Sequence, residues 1–256
     1  MSTSLFDSLI FGPVQSRRMG VSLGVNLLPS TEKFCNYDCV YCECGFTYTP
    51  SKNTRLLLPP RSEVYAQLKT KIISMNPKPN AITFAGNGEP TIHPEFCEII
   101  DDVIEIRNEF CPSTEIVVLT NATQTHKPHI IKSLQKINRC MFKLDSGVES
   151  TFQKINQPLQ SLNIQYFTKN IAQFPNCILQ TLFVYGEHKG EIFDNTTDEE
   201  VDALISCYKQ INPSEIVIYG IQRDTPINTI SKVSKEKLEQ IAGKIRKVGL
   251  KVSVSY

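Results

Sequence analysis

The feature of this chain that most constrains its fold and chemistry is a short stretch rich in cysteine. Four of the nine cysteines fall between Cys35 and Cys44, in the sequence CNYDCVYCEC. The remaining five stand alone at wide intervals: Cys97, Cys111, Cys140, Cys177 and Cys207. Thiolates are the ligands that suit iron-sulfur clusters and zinc, and short spacings let one loop direct several sulfurs at one centre. The stretch therefore predicts a metal centre.

The spacing of these cysteines favours an iron-sulfur cluster. Cys35, Cys39 and Cys42 form the pattern C-x3-C-x2-C. Structural zinc usually takes two separated pairs of ligands, and the sequence has no second pair and no partnered histidine. Three thiolates on a four-iron cluster would leave one iron without a protein ligand, and an open position is what a catalytic metal site keeps. Zinc, disulfides or coincidence remain the alternatives, and Cys44 is expected to lie beside the cluster without binding it.

The same run resembles the signature of the radical S-adenosylmethionine (SAM) superfamily, with aromatic Tyr41 directly before the third cysteine. The resemblance implies that Cys35, Cys39 and Cys42 hold a [4Fe-4S] cluster whose fourth iron binds the amino and carboxylate groups of SAM. It also implies that Tyr41 packs near the adenine. The implied reaction begins when one electron from the cluster cleaves SAM to methionine and a 5'-deoxyadenosyl radical, which then abstracts hydrogen from a substrate.

Length and composition are those of an ordinary globular protein. The chain has 256 residues, enough for one large domain, with 41% apolar and 21% charged residues. A formal net charge of +1 gives no overall field for gripping a phosphate backbone, so nucleic acid is neither indicated nor excluded. The sequence shows no signal-peptide pattern and no apolar run near the roughly 18 residues of a membrane span. Together with the odd number of cysteines, this predicts a cytoplasmic protein with no membrane partner.

Short runs rich in strand-forming residues alternate with helical patterns along the chain. We predict strands at 21–28, 81–85, 115–120, 140–145, 178–184 and 215–220, and a final one at 251–256. Helices are predicted from Ser62, from Pro94, at about 130–137 and 162–174, after a capping box at Thr197, and from Ser234 to a left-handed cap at Gly249. This alternation implies βαβ units and a parallel sheet.

The number of these units defines the predicted architecture. Six units are too few for a closed eight-stranded barrel, so we predict an α/β fold with a partial, TIM-like (β/α)6 barrel. The radical SAM superfamily has this fold, so the resemblance implies the same architecture. We predict a single domain over 1–256, with its core at about 20–220 and a C-terminal helix and strand at 231–256.

A glycine-rich loop follows the second predicted strand. In Gly86-Asn87-Gly88-Glu89-Pro90 the glycines let backbone groups approach a ligand, and the carboxylate can receive an ammonium group. A plain Gly-Pro turn is the alternative. The loop resembles the GGE motif of the superfamily, which binds the SAM amino group. Gly88 and Glu89 match this motif, whereas Asn87 stands in place of the usual glycine.

Polar residues follow the third and fourth strands, at the edge where ligands bind in α/β folds. Asn121 ends the third strand, and Lys143, Asp145 and Ser146 end the fourth. The resemblance implies that strand-end residues of this kind bind the ribose and carboxylate of SAM. Turn formation by Asp-Ser-Gly is the equally simple alternative.

Candidates for holding the substrate lie on later strands. Gln180 on the fifth strand is predicted to point inward, and Arg223 follows the sixth strand. Solvated charge is the alternative for Arg223. The pair Arg17-Arg18 would contact an anionic ligand or lie in solvent, and His93 is expected at a helix N-terminus without binding a ligand.

A longer resemblance runs from about Phe11 to Gly220. The segments FGPVQSRR from Phe11, LGVNLLP from Leu23, GEPT from Gly88, KLD from Lys143 and QTLF from Gln180 are similar to a group of short radical SAM "Fe-S oxidoreductases". That group is distantly related to the wybutosine-forming tRNA enzymes. Those tRNA enzymes carry a second cluster with cysteines N-terminal to the radical SAM motif, whereas no cysteine precedes Cys35 here. This departure weakens the prediction of a tRNA substrate.

The predicted function is that of a one-cluster radical SAM enzyme acting on an unidentified small molecule or nucleoside. Its electron would come from an external donor such as flavodoxin or ferredoxin. A tRNA-modifying enzyme and an activase of a glycyl-radical partner protein are the alternatives, so RNA and protein substrates stay open. From another class, the chain would be an iron-sulfur electron carrier or a zinc-binding module, and SAM would be neither bound nor cleaved.

Overall fold

A single sheet with helices around it organises the computed structural model, which describes residues 4–16, 19–47 and 58–256. The strands are β1 (Ile10–Ser16), β2 (Gly20–Val25), β3 (Ala81–Phe84), β4 (Glu115–Thr120), β5 (Arg139–Lys143), β6 (Ile178–His188), β7 (Glu191–Asp194), β8 (Glu215–Gly220), β9 (Ile230–Lys232) and β10 (Val252–Ser255). The helices are α1 (Arg61–Ser74), α2 (Phe96–Phe110), α3 (Pro128–Leu134), α4 (Glu149–Asn156), α5 (Ile164–Ile171), α6 (Asp198–Ile211) and α7 (Lys235–Lys247).

The sheet is parallel through most of its width. Its parallel strands follow the order β2-β3-β4-β5-β6-β8-β10, and β1 pairs antiparallel with β2. Strands β7 and β9 pair antiparallel with the far end of β6. Within the described ranges β1 and β10 are edge strands that do not pair with each other, so the sheet stays open. The predicted α/β fold with a partial, TIM-like barrel is confirmed.

Alternation along the strands separates two buried faces. In β4, Ile116 and Val118 belong to the apolar core that the helices cover, whereas Val117 belongs to a separate inner layer. That layer takes one residue from each of five neighbouring strands: Ala81, Val117, Met141, Ile178 and Val217. Each fully buried Ile or Val contributes about 2 kcal/mol. Burial on both faces produces the near-continuous apolar runs that make these strands recognisable in the sequence.

Two helices begin at the caps that the sequence predicts. The Thr197 side chain accepts a hydrogen bond from the Glu200 N–H, and the Ser234 side chain accepts one from the Lys237 N–H. The Glu200 carboxylate, the other half of the predicted capping box, accepts a bond from Ser146. Gly249 follows α7 with a φ of +82°, as a left-handed cap requires.

Several element boundaries differ from the prediction. Strand β2 ends at Val25, three residues early, and α2 begins at Phe96 because a 3-10 turn first occupies residues 90–92. Strand β6 continues to His188 because β7 and β9 pair with its extension. The sequence pattern does not reveal α4, whose two apolar residues, Phe152 and Ile155, are too few to establish a helical period. No helix in the described part of the chain is both long and apolar enough to cross a membrane.

Candidate functional site

The cysteine loop, residues 33–45, lies at the carboxyl edge of the parallel sheet, and one side of it is tied to the loop that follows β3. The Phe34 N–H donates to the Asn87 carbonyl oxygen at 2.8 Å, and the Glu89 N–H donates to the Phe34 carbonyl oxygen at 3.2 Å. A Cβ on residue 88 would overlap that Phe34 carbonyl, so only glycine permits the approach. The two motifs that the sequence singles out are therefore joined through their backbones.

The other side of the cysteine loop is docked on the C-terminal end of α4. The Asp38 N–H donates to the Asn156 carbonyl oxygen at 3.1 Å, and the Val40 N–H donates to the Ile155 carbonyl oxygen at 2.9 Å. The last carbonyls of a helix have no partner within the helix. The cysteine loop supplies donors to them, so α4 and the loop complete each other.

The sulfurs of two predicted ligands accept hydrogen bonds from nitrogen. Cys35 Sγ lies 3.4 Å from the Tyr37 backbone nitrogen and 3.8 Å from Asn121 Nδ2. Cys39 Sγ lies 3.4 Å from Asn156 Nδ2. Donors of this kind favour the ionised form of the acceptor. These hydrogen bonds oppose the effect of burial, which by itself favours the neutral thiols.

A buried lysine supplies positive charge to the same loop. Lys33 is 3% exposed, and its Nζ lies 3.1 Å from Asp38 Oδ1 and 3.0 Å from the Gly45 carbonyl oxygen. Burial by itself lowers the pKa of Lys33, but the thiolate-forming cysteines and Asp38 outweigh it and raise the pKa overall. The side chain is an ammonium at neutral pH. One lysine ahead of a cysteine forms no pattern, so sequence reasoning does not single it out.

The predicted ligands differ in their electrostatic surroundings. The pKa of Cys42 is lowered to about 6 in spite of burial. The largest cause is a hydrogen bond from the Cys44 thiol, and the positive charge of Lys33 adds to it. Burial raises the pKa of Cys39 to about 11 and also raises the pKa of Cys35. Cys42 is thus the most readily ionised of the three. Cys44 lies in the same loop, with its Sγ 3.6 Å from the Gly86 carbonyl oxygen.

A network at the end of β5 connects Tyr41 to Asp145. The Tyr41 hydroxyl donates to Asp145 Oδ2, and the Leu182 N–H donates to Asp145 Oδ1 at 2.8 Å. Lys143 Nζ lies 3.4 Å from Asp145 Oδ1 and 2.5 Å from the Tyr219 hydroxyl. Burial lowers the pKa of Lys143, but Asp145 and Tyr219 more than offset this and the net shift is upward.

Two tyrosine rings enclose the Lys143 ammonium. Its Nζ lies 4.7 Å from the centroid of the Tyr41 ring and 4.7 Å from that of the Tyr219 ring. Tyr219 lies at the end of β8 and is absent from the sequence-based candidates. The only local feature of the sequence that could have indicated Tyr219 is its position at the end of a strand, on the inward-facing side.

The Glu89 carboxylate is buried and accepts several hydrogen bonds from other groups of the protein. It accepts hydrogen bonds from the hydroxyl and N–H of Thr91, from Thr120 Oγ1 at 2.7 Å and from the Asn121 N–H at 2.7 Å. Burial raises the pKa of Glu89 in spite of these donors. Glu89 therefore fastens the loop after β3 to the end of β4, and its backbone faces the cysteine loop.

A cavity of about 410 Å³ opens beside the cysteine loop at the mouth of the barrel. Five of the predicted site residues line it: Tyr41, Cys42, Gly88, Lys143 and Arg223. Strand ends and the loop after β8 supply most of the rest: Leu119, Leu182, Tyr219, Gly220, Ile221, Gln222 and Thr225. The structure thus brings residues from four strands, the loop after β3, the loop after β8 and the cysteine loop to one concave surface.

Ser146 and Gln180 lie away from the cavity, and Arg223 is at its edge. The Ser146 hydroxyl donates to Glu200 Oε2 at 2.7 Å, on the side of α6, and Ser146 does not line the cavity. Gln180 lies inside the barrel below the cavity, with its amide nitrogen 3.7 Å from Met141 Sδ. Arg223 is on the rim, where it pairs with Glu43 at 2.7 Å. Residues 17 and 18, the predicted anion-contacting arginines, lie outside the described residues.

Comparison with models of protein families shows which superfamily the chain belongs to. The model of the radical SAM superfamily matches residues 31–194, which contain the cysteine loop and the strands from β3 to β7. The match covers more than half of the chain, and the chain belongs to the radical SAM superfamily. The resemblance on which the sequence prediction depends is confirmed.

Two curated relatives are each 27% identical to the chain over the aligned residues. GTPase Obg of Brachyspira hyodysenteriae is 27% identical over 238 residues, which are 90% of this chain and 32% of that protein. UPF0026 protein MJ1312 of Methanocaldococcus jannaschii is 27% identical over 245 residues, which are 91% of this chain and 69% of that protein. The chain thus spans about a third of the first relative and about two thirds of the second.

Solved structures share the fold at low identity. SuiB of Streptococcus suis bound to its precursor peptide SuiA has a TM-score of 0.66 and 13% identity, over 91% of this chain and 48% of that one. SuiB bound to SAM has a TM-score of 0.64 and 13% identity, over 90% and 50%. TYW1 with a lysine-pyruvate adduct bound has a TM-score of 0.61 and 13% identity, over 88% and 73%.

The superfamily uses a [4Fe-4S] cluster and SAM, and the residues present fit these groups. Four free thiols stand on one loop, and three of them are the predicted ligands. Two of the ligand sulfurs accept N–H bonds, and a buried ammonium lies beside them. Among the described residues, no three His, Cys, Asp or Glu side chains are arranged to hold one metal ion. A four-iron cluster differs from a single ion because each thiolate binds an iron of its own.

Proposed function

We propose that this protein is a radical SAM enzyme in which Cys35, Cys39 and Cys42 bind the [4Fe-4S] cluster. The observation that carries the proposal is the doubly anchored cysteine loop, held by Gly88 on one side and by α4 on the other, with its sulfurs facing N–H donors. Lys33 offsets the negative charge of the thiolates. The lowered pKa of Cys42 keeps that ligand ionised at neutral pH.

SAM is proposed to bind in the cavity next to Cys42. When bound, the cluster and SAM supply a one-electron cleavage that produces a 5'-deoxyadenosyl radical for hydrogen abstraction. Tyr41 would pack against the adenine, held in place by Asp145. Backbone groups of Gly88 and Glu89 would receive the amino end, while Lys143 would contact the carboxylate. Ser146 and Asn121 are left out because neither lines the cavity and both side chains are already bonded, Ser146 to Glu200 and Asn121 to Asn36 and Thr123.

Lys143 is proposed to act through its charge. TYW1 holds a lysine-pyruvate adduct, and Lys143 lines the cavity here. Forming an imine requires a neutral amine, whereas the Asp145 carboxylate and the Tyr219 hydroxyl hold Lys143 as an ammonium. An ionic contact with a carboxylate is therefore favoured over a covalent bond.

A small molecule or nucleoside is the proposed substrate. The cavity volume of about 410 Å³ lies in the range of small-ligand sites, and with SAM bound it leaves room only for a small substrate. Arg223 on the rim, in the loop after β8, and Gln180 on β6 below the floor are the proposed substrate-binding residues. The electron would come from an external donor such as flavodoxin or ferredoxin, in the cytoplasm.

The test is an anaerobic assay for 5'-deoxyadenosine. The protein is reconstituted with iron and sulfide, reduced with dithionite and mixed with SAM. We expect product from the wild type and none from Cys42→Ala. Cys97→Ala, which removes a half-buried thiol of α2, is the matched control and should retain product. Cys44→Ala should keep four irons per chain, and loss of iron there would make Cys44 a ligand.

The alternative functions give different outcomes. An electron carrier would load a cluster but would neither bind nor cleave SAM. A tRNA-modifying enzyme would bind RNA with an affinity that falls steeply with salt. An activase would co-purify with a large glycyl-radical partner, and its product would rise when that partner is added. Absence of both SAM binding and product from a protein loaded with four irons would refute the proposed enzyme.

A further inference from the structure

Asn156, the last residue of α4, stands at the centre of the cluster site although nothing in the sequence marks it. Its side chain is 1% exposed. Its Nδ2 lies 2.7 Å from Asp145 Oδ2, 3.4 Å from Cys39 Sγ and 3.1 Å from the Tyr41 hydroxyl oxygen. One amide therefore contacts Cys39, a predicted cluster ligand. It also contacts Tyr41, the proposed adenine contact, and Asp145, which holds Tyr41 in place.

The orientation of this amide is determined by its neighbours. Turning it over would bring the Asn156 carbonyl oxygen against the Asp145 carboxylate, where two acceptors would repel. One N–H accordingly points to Asp145. The second N–H is directed to Cys39 Sγ and the Tyr41 oxygen, because the hydroxyl hydrogen of Tyr41 goes to Asp145.

The same orientation leaves Asn156 Oδ1 buried without a hydrogen-bond partner among the described residues. A buried oxygen without a donor costs free energy, and native proteins contain few of them. The fold does not need this side chain to dock the cysteine loop, because the Asp38 N–H is received by the backbone carbonyl of Asn156. A role for the amide nitrogen explains why the unpaired oxygen is tolerated.

We propose that Asn156 is a positioning residue that raises the reduction potential of the cluster through its hydrogen bond to Cys39. The proposal rests on the proposed function, since Cys39 must be a ligand. The reduced cluster carries one more negative charge than the oxidised cluster. A donor to a ligand sulfur therefore stabilises the reduced state more, and the potential rises.

The decisive variant is Asn156→Leu, which keeps the branched shape of the side chain and removes both N–H donors. Gln153→Leu is the matched control, because it makes the same amide-to-leucine change one turn earlier on α4, where the amide bonds to Glu149 and Leu162. Wild type and variants are reconstituted anaerobically and their iron is counted. Midpoint potentials are then measured by redox titration followed by electron paramagnetic resonance.

We expect four irons per chain in all three proteins, a lower midpoint potential in Asn156→Leu and an unchanged potential in Gln153→Leu. If Asn156→Leu loads no cluster, Asn156→Ser, which also removes the amide, should load it and show the same downward shift. A residue needed only for packing would not move the potential of a fully loaded cluster.

The outcomes separate the inference from the proposed function. If the wild type and an Asn156 variant both contain the cluster and have equal midpoint potentials, the inference is wrong and the proposed enzyme is unaffected. Failure of both Asn156 variants to load iron, with a loaded Gln153→Leu, also overturns it, because Asn156 would then be a structural requirement. A wild type that binds no four-iron cluster overturns the proposed function and the inference with it.

Discussion

The Phe34 carbonyl oxygen stands where a side chain on Gly88 would have to be. This contact closes the short parallel bridge between the two residues, and Cys35 follows directly. The cysteine loop by itself therefore requires glycine at position 88. A substitution there reports on both motifs at once.

Gly88→Ala should destabilise the protein and reduce cluster loading. Residue 88 has a φ of +148°, which side chains rarely adopt, and the added Cβ must displace the Phe34 backbone. Together these effects should lower the free energy of unfolding by about 2–4 kcal/mol. Urea unfolding and iron analysis measure the two effects. Gly243→Ala, in α7 with no atom within 4 Å of the new Cβ, should stabilise the protein by about 0.5–1 kcal/mol.

Lys33→Met should weaken both the fold and the cluster. The buried ammonium pairs with Asp38 at 3.1 Å, and removing one partner of a buried pair costs about 3 kcal/mol. Adding Asp38→Asn should recover much of that stability, because the uncompensated carboxylate is removed. If Lys33 also balances thiolate charge, iron content should stay low in the double variant. Recovery of both the stability and the iron content would show that Lys33 acts only through its ion pair with Asp38.

Asp145→Asn should weaken SAM binding about tenfold, which corresponds to roughly 1.4 kcal/mol. Asp145 holds both Tyr41 and Lys143, two side chains that line the cavity, and an amide would lose the charge that pairs with Lys143. Calorimetric titration of the reconstituted protein with SAM measures the change.

Ser146→Ala is the neighbouring comparison for Asp145→Asn. It should leave SAM affinity unchanged, because the Ser146 hydroxyl bonds to Glu200 behind the sheet. Its cost should be about 1 kcal/mol of stability from the lost hydrogen bond. Equal losses of SAM affinity in the two variants would show that the site extends to Ser146, as the sequence analysis predicts.

The Arg223–Glu43 pair should contribute little to stability. The side chains are 68% and 41% exposed, and exposed ion pairs are worth less than about 1 kcal/mol. A double-mutant cycle with Arg223→Gln and Glu43→Gln, followed by urea unfolding, measures the coupling directly. A coupling above 2 kcal/mol would contradict this and make the pair a latch between the cysteine loop and the loop after β8.

The order of strands and helices could be predicted from the sequence because each element carries its own local pattern. Apolar runs between turn residues mark β3, β4 and β8, and the side-chain caps mark the starts of α6 and α7. The cysteine spacing is equally local, so it identified the superfamily that the family match confirms. Elements without such a pattern, such as α4 and the extension of β6, depend on the surfaces they pack against.

The surroundings of the cysteines were decided by the tertiary structure alone. Asn156 lies 117 positions from Cys39 along the chain, and Tyr219 lies 76 positions from Lys143. Parallel strand order brings these positions to one edge, but no spacing in the sequence encodes their contacts. The sequence by itself determined the cofactor chemistry, since ligand type and spacing are local properties. Which amides, cations and rings surround that chemistry follows from long-range packing, and only the folded chain shows it.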